Sequence, residues 1–172
     1  MNKTILILAS FPFSLVNFRF ELFKTFIEKK YIVHVAAPHL KNEFSVLIKL
    51  ESLGVICHNV SIRRDSSNPF SELYSLFSIL FLIYKIKPNI FMGYTIKPVI
   101  WGAIAAKILK IKKCFVIITG LGYVFTRNTN KRIKIIRHIT CFLYKFALKF
   151  TTAIFFQNDD DVKLFSKLKL LP

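Results

Sequence analysis

The feature that most constrains the fold of this chain is a regular alternation of short apolar runs with segments of helical periodicity. Each apolar run has the length of one buried strand, and each is followed by apolar residues that recur at helical spacing. The predicted strands are 4–9, 31–37, 55–60, 90–94, 114–119 and 152–157, and the predicted helices are 17–30, 43–53, 70–86, 98–110, 131–150 and 158–169. A strand–helix unit that repeats with short connections predicts an α/β fold with a six-stranded parallel sheet and helices on both faces.

In such a three-layer, Rossmann-like sandwich, ligands bind beyond the carboxyl ends of the strands. The first loop at that rim begins at Ser10 and lacks the GxGxxG pattern of dinucleotide sites. It leads to Asn17, which is a good helix N-cap residue, and Arg19 then falls in the first helical turn. The amides and dipole at this helix start favour an anion, although Arg19 is equally compatible with a solvated side chain.

Two further loops at the same rim carry polar groups or glycines. Tyr94, Thr95 and Lys97 offer hydroxyls and a cation that could bind sugar hydroxyls or a phosphate. The other loop has glycines that permit close backbone approach, as a pyrophosphate would need, and it contains Thr119, Gly120, Gly122 and Tyr123. Taken alone, the glycines of this last loop are equally typical of an ordinary tight turn that binds no ligand.

Charge is unevenly distributed along the chain. The net charge is +17, and the stretch between Leu73 and Asn158 has 14 Lys and Arg but no Asp or Glu. Such a field attracts nucleic acid, anionic lipid or phosphorylated substrates. The 20 lysines against 6 arginines, with abundant Phe, Ile and Asn, also fit the composition of an AT-rich genome. The basic amphipathic segment 131–150 can lie on anionic lipid or form the outer helix of a packed layer.

Several classes of protein are disfavoured by the sequence. The longest nearly apolar run, 76–84, is short of the length that spans a bilayer, and the N-terminal segment has no signal-peptide pattern. The three cysteines are far apart, which predicts a reducing compartment and no metal site. No paired carboxylates or Ser/His/Asp set is present, so no catalytic residue is assigned; His39 is the histidine best placed for acid–base chemistry.

Four segments follow one another along the chain, each at the end of a predicted strand: SFPFSLVNFR, YTIKPVIWGAIAAK, ITGLGYVFT and FFQNDDD. Together they resemble the N-terminal half of family 4 glycosyltransferases with the GT-B fold. The closest resemblance is to bacterial N-acetylgalactosaminyltransferases that extend lipid-linked oligosaccharides. The resemblance implies that residues 1–172 form the acceptor-side domain and that the C-terminal donor domain, with its paired glutamates, is absent. It also implies a peripheral, cytoplasmic location on the inner face of a bacterial plasma membrane.

The expected function is therefore that of an acceptor-binding half of a glycosyltransferase, inactive alone, for polyprenyl-diphosphate-linked sugar in cell-surface glycan synthesis. The intact reaction would be retaining transfer from a UDP-sugar, which only the missing domain would bind; no other cofactor is expected. One alternative is the membrane-side subunit of a split enzyme whose donor domain is a separate chain. Another is a basic nucleic-acid-binding α/β protein, although no known motif supports it. The predicted acceptor- or phosphate-binding residues are Ser10, Asn17, Arg19, Tyr94, Thr95, Lys97, Thr119, Gly120, Gly122 and Tyr123.

Overall fold

The computed structural model describes residues 3–63, 68–120, 125 and 130–172, which form an α/β sandwich around one parallel sheet. The sheet has six strands in the order β3-β2-β1-β4-β5-β6. Every neighbouring pair runs parallel. The strands are β1 (Thr4–Leu8), β2 (Ile32–Ala37), β3 (Ile56–Asn59), β4 (Ile90–Tyr94), β5 (Lys113–Ile118) and β6 (Ala153–Phe156). The predicted fold class is confirmed.

The helices alternate with the strands as the periodicity predicts. They are α1 (Pro12–Glu28), α2 (Phe44–Glu51), α3 (Pro69–Ile86), α4 (Ile96–Ile108), α5 (Lys131–Leu148) and α6 (Asp159–Lys167), and a short 3₁₀ turn covers Leu40–Asn42. Asn158 caps α6 as expected, because its side-chain oxygen accepts from the backbone N–H of Asp161 at 2.8 Å.

The start of α1 corrects the prediction that Asn17 is an N-cap. The helix begins at Pro12, five residues earlier, and Phe11 precedes it without a side-chain cap. Proline suits a first helical position because its φ is already helical and its missing N–H would have no partner there. Asn17 is therefore an exposed residue inside the helix. Arg19 lies about two turns after the start of α1 rather than in its first turn.

Alternate side chains of β1 enter two separate cores, one on each face of the sheet. Ile5 and Ile7 pack with buried residues of α1 and α2, such as Phe23 and Leu50. Leu6 and Leu8 face the other way, into a core built by α3, α4 and α5. The helices of this second layer contribute the buried residues Ile79, Ile83, Val99, Ala103, Tyr144 and Leu148.

The junction of β4 with α4 is packed closely because two positions carry no side chain. A Cβ on Gly93 would lie 2.7 Å from the carbonyl oxygen of Pro98. A Cβ on Gly102 would overlap the ring of Phe91. Contacts this short leave no room for a methyl group, so the glycines let α4 lie directly against the end of β4.

Candidate functional site

The strand order puts the switch point of the sheet between the carboxyl ends of β1 and β4, a region here called the crevice. These strands are neighbours, but the chain leaves β1 for the α1 layer and leaves β4 for the α4 layer on the opposite face. The order of the strands reverses at this point, and open parallel sheets bind their ligands at such a switch. The ends of β1, β4 and β5 thus meet at one rim, as predicted.

A hydrogen bond joins the two strand ends across the crevice. The hydroxyl of Thr95 donates to the hydroxyl oxygen of Ser10 at 2.8 Å, and both side chains are half-buried. Thr95 has φ 71° and ψ 160°, a region that residues with a Cβ rarely adopt. Such strain persists only where surrounding structure holds it, and it is concentrated at functional sites.

The buried hydroxyl of Tyr94 lies just beneath this bridge. It is 3.0 Å from Ser14 Oγ, and Ser14 itself donates to the carbonyl oxygen of Phe11 at 2.5 Å. Since the serine has a single hydroxyl proton, Tyr94 is the donor to Ser14. Burial raises the pKa of Tyr94 to about 12, against a smaller opposing effect of the Arg19 charge. Tyr94 therefore stays protonated and fixes the start of α1 to the end of β4.

Arg19 reaches this site from α1. Its guanidinium carbon lies 5.1 Å from the centroid of the Tyr94 ring, a cation–π distance. One terminal nitrogen donates to the carbonyl oxygen of Phe18 at 2.8 Å. The buried Nε atom has no hydrogen-bond partner among the residues that the structure describes. Buried N–H donors without a partner are uncommon in folded proteins, and a bound anion is one group that would satisfy this donor.

Lys97 is held on the side of α4 that faces α3. Its ammonium lies 2.5 Å from Glu72 Oε1 and donates to the carbonyl oxygen of Arg63 at 2.5 Å. The second oxygen of Glu72 accepts from the indole N–H of Trp101 at 2.7 Å. The anion-binding role of Lys97 stays a prediction, and an anion there would have to compete with this half-buried carboxylate.

Of the remaining predicted residues, Thr119, Gly120 and Asn17 lie in the described part of the chain. Thr119 and Gly120 follow β5 and are half-buried, and Gly120 has φ 110°, which explains the glycine. Gly122 and Tyr123 lie outside the described residues. Asn17 is exposed on α1 and makes no contact that links it to Ser10 or Thr95 in the described structure. The structure thus brings Ser10, Tyr94, Thr95 and Arg19 together.

Two residues that sequence reasoning missed help to build the site. Ser14 is the partner of Tyr94, but nothing in the sequence distinguishes it from the other polar residues of its segment. The sequence does indicate that Glu72 is unusual, because it is the last acidic residue before a long basic stretch. A lone carboxylate in such a field has a strong tendency to pair.

Other titratable groups lie away from the rim. His34 and His58 are stacked across β2 and β3 with their ring nitrogens 2.8 Å apart. Burial lowers the pKa of His34, and it lowers the pKa of His58 to about 4 together with the nearby positive charges of His34, Lys41 and Lys85. Within the described ranges, no cluster of His, Cys, Asp and Glu could hold a metal ion.

The family of the chain is decided by a family model that matches most of its length. Residues 7–158 match the family model described as glycosyl transferase 4-like. The chain belongs to the glycosyl transferase 4-like family. The matched range contains both strand ends of the crevice and all the residues that the structure brings together there. The resemblance noted from the four sequence segments is confirmed.

A curated relative of this glycosyl transferase 4-like chain comes from Campylobacter jejuni. It is N,N'-diacetylbacillosaminyl-diphospho-undecaprenol alpha-1,3-N-acetylgalactosaminyltransferase, which is 27% identical over 157 residues. The alignment covers 91% of this chain but 40% of the relative. The glycosyl transferase 4-like chain therefore spans about two fifths of the length of that enzyme.

Solved structures resemble the glycosyl transferase 4-like chain in fold. MurG of Acinetobacter baumannii superposes with a TM-score of 0.58 at 14% identity, over 91% of this chain and 42% of MurG. A putative UDP-N-acetylglucosamine 2-epimerase from Listeria monocytogenes gives 0.61 at 10% identity, over 97% of this chain and 42% of its own. At these identities the likeness establishes the fold alone, that of one half of a GT-B protein.

Proposed function

We propose that the chain is the acceptor-binding half of a glycosyltransferase that acts on a polyprenyl-diphosphate-linked sugar in bacterial cell-surface glycan synthesis. The observation that carries the proposal is the switch point, where Arg19 lies over the ring of Tyr94, the neighbour of Thr95 in the Ser10–Thr95 bridge. The buried Nε of Arg19 has no hydrogen-bond partner among the described residues. A guanidinium donor suits a diphosphate, and clustered hydroxyls suit a sugar. The Campylobacter relative supports the acceptor class, since its name specifies a diphospho-undecaprenol substrate.

The chain would position the acceptor, while the UDP-sugar donor would be bound by another domain or by a separate chain. In the transfer, the oxygen of an acceptor hydroxyl bonds to the anomeric carbon of the donor sugar as the bond from that carbon to the diphosphate oxygen of UDP breaks. The hydroxyl proton passes to the departing UDP or to solvent. Both substrates must be held together for this step, because most of the barrier is lowered by alignment and by stabilising the leaving phosphate. We therefore propose that the chain is inactive alone.

The location that fits this function is the inner face of the plasma membrane, as a peripheral protein. A lipid-linked acceptor is confined to the bilayer, so an enzyme that uses it must work at the membrane surface. The net charge of +17 agrees with this, because anionic lipids attract basic surfaces.

The first test measures acceptor binding by isothermal titration calorimetry in vesicle-free buffer. The probe is a water-soluble short-chain polyprenyl diphosphate that carries one N-acetylated sugar, and UDP is the comparison ligand. We expect the probe to bind and UDP to bind far more weakly. Arg19→Gln should weaken probe binding about tenfold, which corresponds to the loss of one charge-assisted contact.

Arg132→Gln is the matched control, because this substitution removes the same charge at an exposed position on α5. Equal affinities for Arg19→Gln and the unchanged chain would contradict the proposed site, as would binding of UDP in preference to the acceptor. Turnover of a UDP-sugar by the purified chain alone would contradict its inactivity. Turnover only after a donor-side chain is added would identify a split enzyme.

A further inference from the structure

Helix α3 exposes a continuous apolar stripe along its outer side. Its members have 51–83% of their surface exposed, and they are Phe70, Leu73, Tyr74, Phe77, Phe81 and Tyr84. The buried residues of the helix, Ser75, Ile79, Leu82 and Ile83, lie on the opposite side at about 100° per residue. The stripe therefore points directly away from the sheet.

Helix α5 carries a second stripe of the same kind. Ile135, Ile139, Phe142 and Phe146 are 45–70% exposed, whereas the buried residues of α5 are Thr140, Tyr144, Ala147 and Leu148. The apolar side of this amphipathic helix thus faces outward. Because α3, α4 and α5 form one layer on one face of the sheet, with Ile108 of α4 also 55% exposed, the stripes point to the same side of the molecule.

The charges around these stripes are positive. Exposed cations on or beside the three helices are Lys85, Lys87, Lys107, Lys131, Arg132, Lys134, Lys145 and Lys149. Glu72, the acidic residue of α3, is already paired with Lys97 and Trp101. Apolar stripes flanked by lysines match the surface of an anionic bilayer in both hydrophobicity and charge.

We propose that the outer side of α3, α4 and α5, here called the docking face, lies flat on an anionic lipid bilayer. This deepens the peripheral location proposed above by naming the face and its two components. The apolar run 76–84 is short by itself, but the whole of α3 has the length and apolarity to cross a membrane, with a mean hydropathy of 1.3. No other helix of the described residues passes that test. It lies along the interface instead, because Ile79 and Ile83 are fully buried in the protein core. Its aromatic side chains prefer the headgroup region.

The test measures co-sedimentation of the full chain with vesicles that contain no polyprenyl lipid. Vesicles of phosphatidylcholine with about 30% phosphatidylglycerol should bind the chain at least tenfold more strongly than pure phosphatidylcholine. Binding should weaken as salt is raised, since screening shortens the range of the attraction. Equal binding to neutral and anionic vesicles, or preferential binding to duplex DNA of the same charge concentration, would overturn the proposal.

Paired substitutions locate the face. Phe77→Ser with Phe81→Ser on α3 should reduce vesicle binding at least tenfold. Phe44→Ser with Ile48→Ser on α2 is the matched control, because these side chains are 72% and 67% exposed on the opposite layer. Circular dichroism verifies that each variant is folded, and all four sites are exposed, so the core is unaffected. Equal losses for the two pairs would overturn the assignment of the face.

The charge component is tested separately. Lys145→Gln on α5 with Lys149→Gln just after it should lower binding to anionic vesicles about 25-fold, at roughly fivefold for each lysine near the surface. Lys29→Gln with Lys30→Gln, just after α1, removes the same charge far from the docking face and should have little effect.

A different occupant would give a different result. If the stripes bound a second copy of the chain, analytical ultracentrifugation would detect a dimer that the Phe77→Ser and Phe81→Ser pair dissociates, without vesicle binding by the original chain. That outcome would overturn the membrane proposal. Neither result affects the acceptor assay, which uses a soluble probe, so failure of the docking face and failure of the acceptor site are distinguishable.

Discussion

At the scale of single residues, the site depends on a few hydroxyls that tie strand ends together. Thr95 bonds to Ser10 across the crevice, and Tyr94 bonds to Ser14 beneath it. These bonds fix the entry of both α1 and α4. For the proposed acceptor site, groups held in place in this way would avoid the entropic cost of being ordered on binding.

We expect Tyr94→Phe to lower the free energy of unfolding by about 1 kcal/mol, because it deletes one buried hydrogen bond and keeps the ring beneath Arg19. Urea denaturation followed by circular dichroism measures the loss. A double-mutant cycle with Ser14→Ala should give a coupling energy of about 1 kcal/mol. Additive effects of the two changes would contradict the Tyr94–Ser14 bond.

At the scale of elements, the sequence predicted the helices and strands well but not what joins them. Hydrophobic periodicity is a local signal, so most boundaries fall within two or three residues of the observed ones. The start of α1 was wrong because Asn17 has good capping chemistry, whereas Pro12 begins the helix without any side-chain cap. The contact of Lys97 with Glu72 joins residues 25 positions apart and depends on how α3 packs on α4, which local patterns do not encode.

We expect the Glu72–Lys97 contact to hold α3 against α4. Glu72→Gln should lower the free energy of unfolding by about 1–3 kcal/mol, since it leaves the mostly buried Lys97 ammonium without its counter-charge. Chemical denaturation at neutral pH measures this. Glu72→Leu combined with Lys97→Met should be closer to neutral, because no unpaired charge remains. A double variant less stable than Glu72→Gln would argue against this account.

At the scale of the whole molecule, the predicted rim is real because topology dictates it. Parallel strands joined by helical crossovers must end at the same edge, so the ends of β1, β4 and β5 share one edge without any side-chain information. What lies on the outside of the molecule was less predictable. The sequence cannot distinguish the packed side of α5 from its solvent side when both carry apolar residues, and the exposed stripe of α3 becomes visible only once the core is assigned.

The stability of the whole molecule should fall in mild acid because of His34 and His58. Their pKa values in the folded protein lie below the ordinary 6.5, so the unfolded chain binds more protons. Stability is therefore complete above about pH 6.5 and is lost as the pH falls from there toward 4. Because both rings are partly exposed, we expect a loss of about 1 kcal/mol by pH 5.

Urea denaturation at several pH values measures this dependence. His58→Gln should flatten it, whereas His39→Gln, at an exposed position after β2, should leave it unchanged. An unchanged pH profile in His58→Gln would show that other groups dominate acid unfolding.

The bond between Trp101 and Glu72 has a practical consequence. Trp101 is the chain's one tryptophan, and its bond to Glu72 places it where α4 meets α3. Tryptophan emission from the unlabelled protein therefore originates at a single point in the helix layer. Its wavelength and its quenching by brominated acyl chains would report how closely lipid approaches that seam, without any dye attached to the protein.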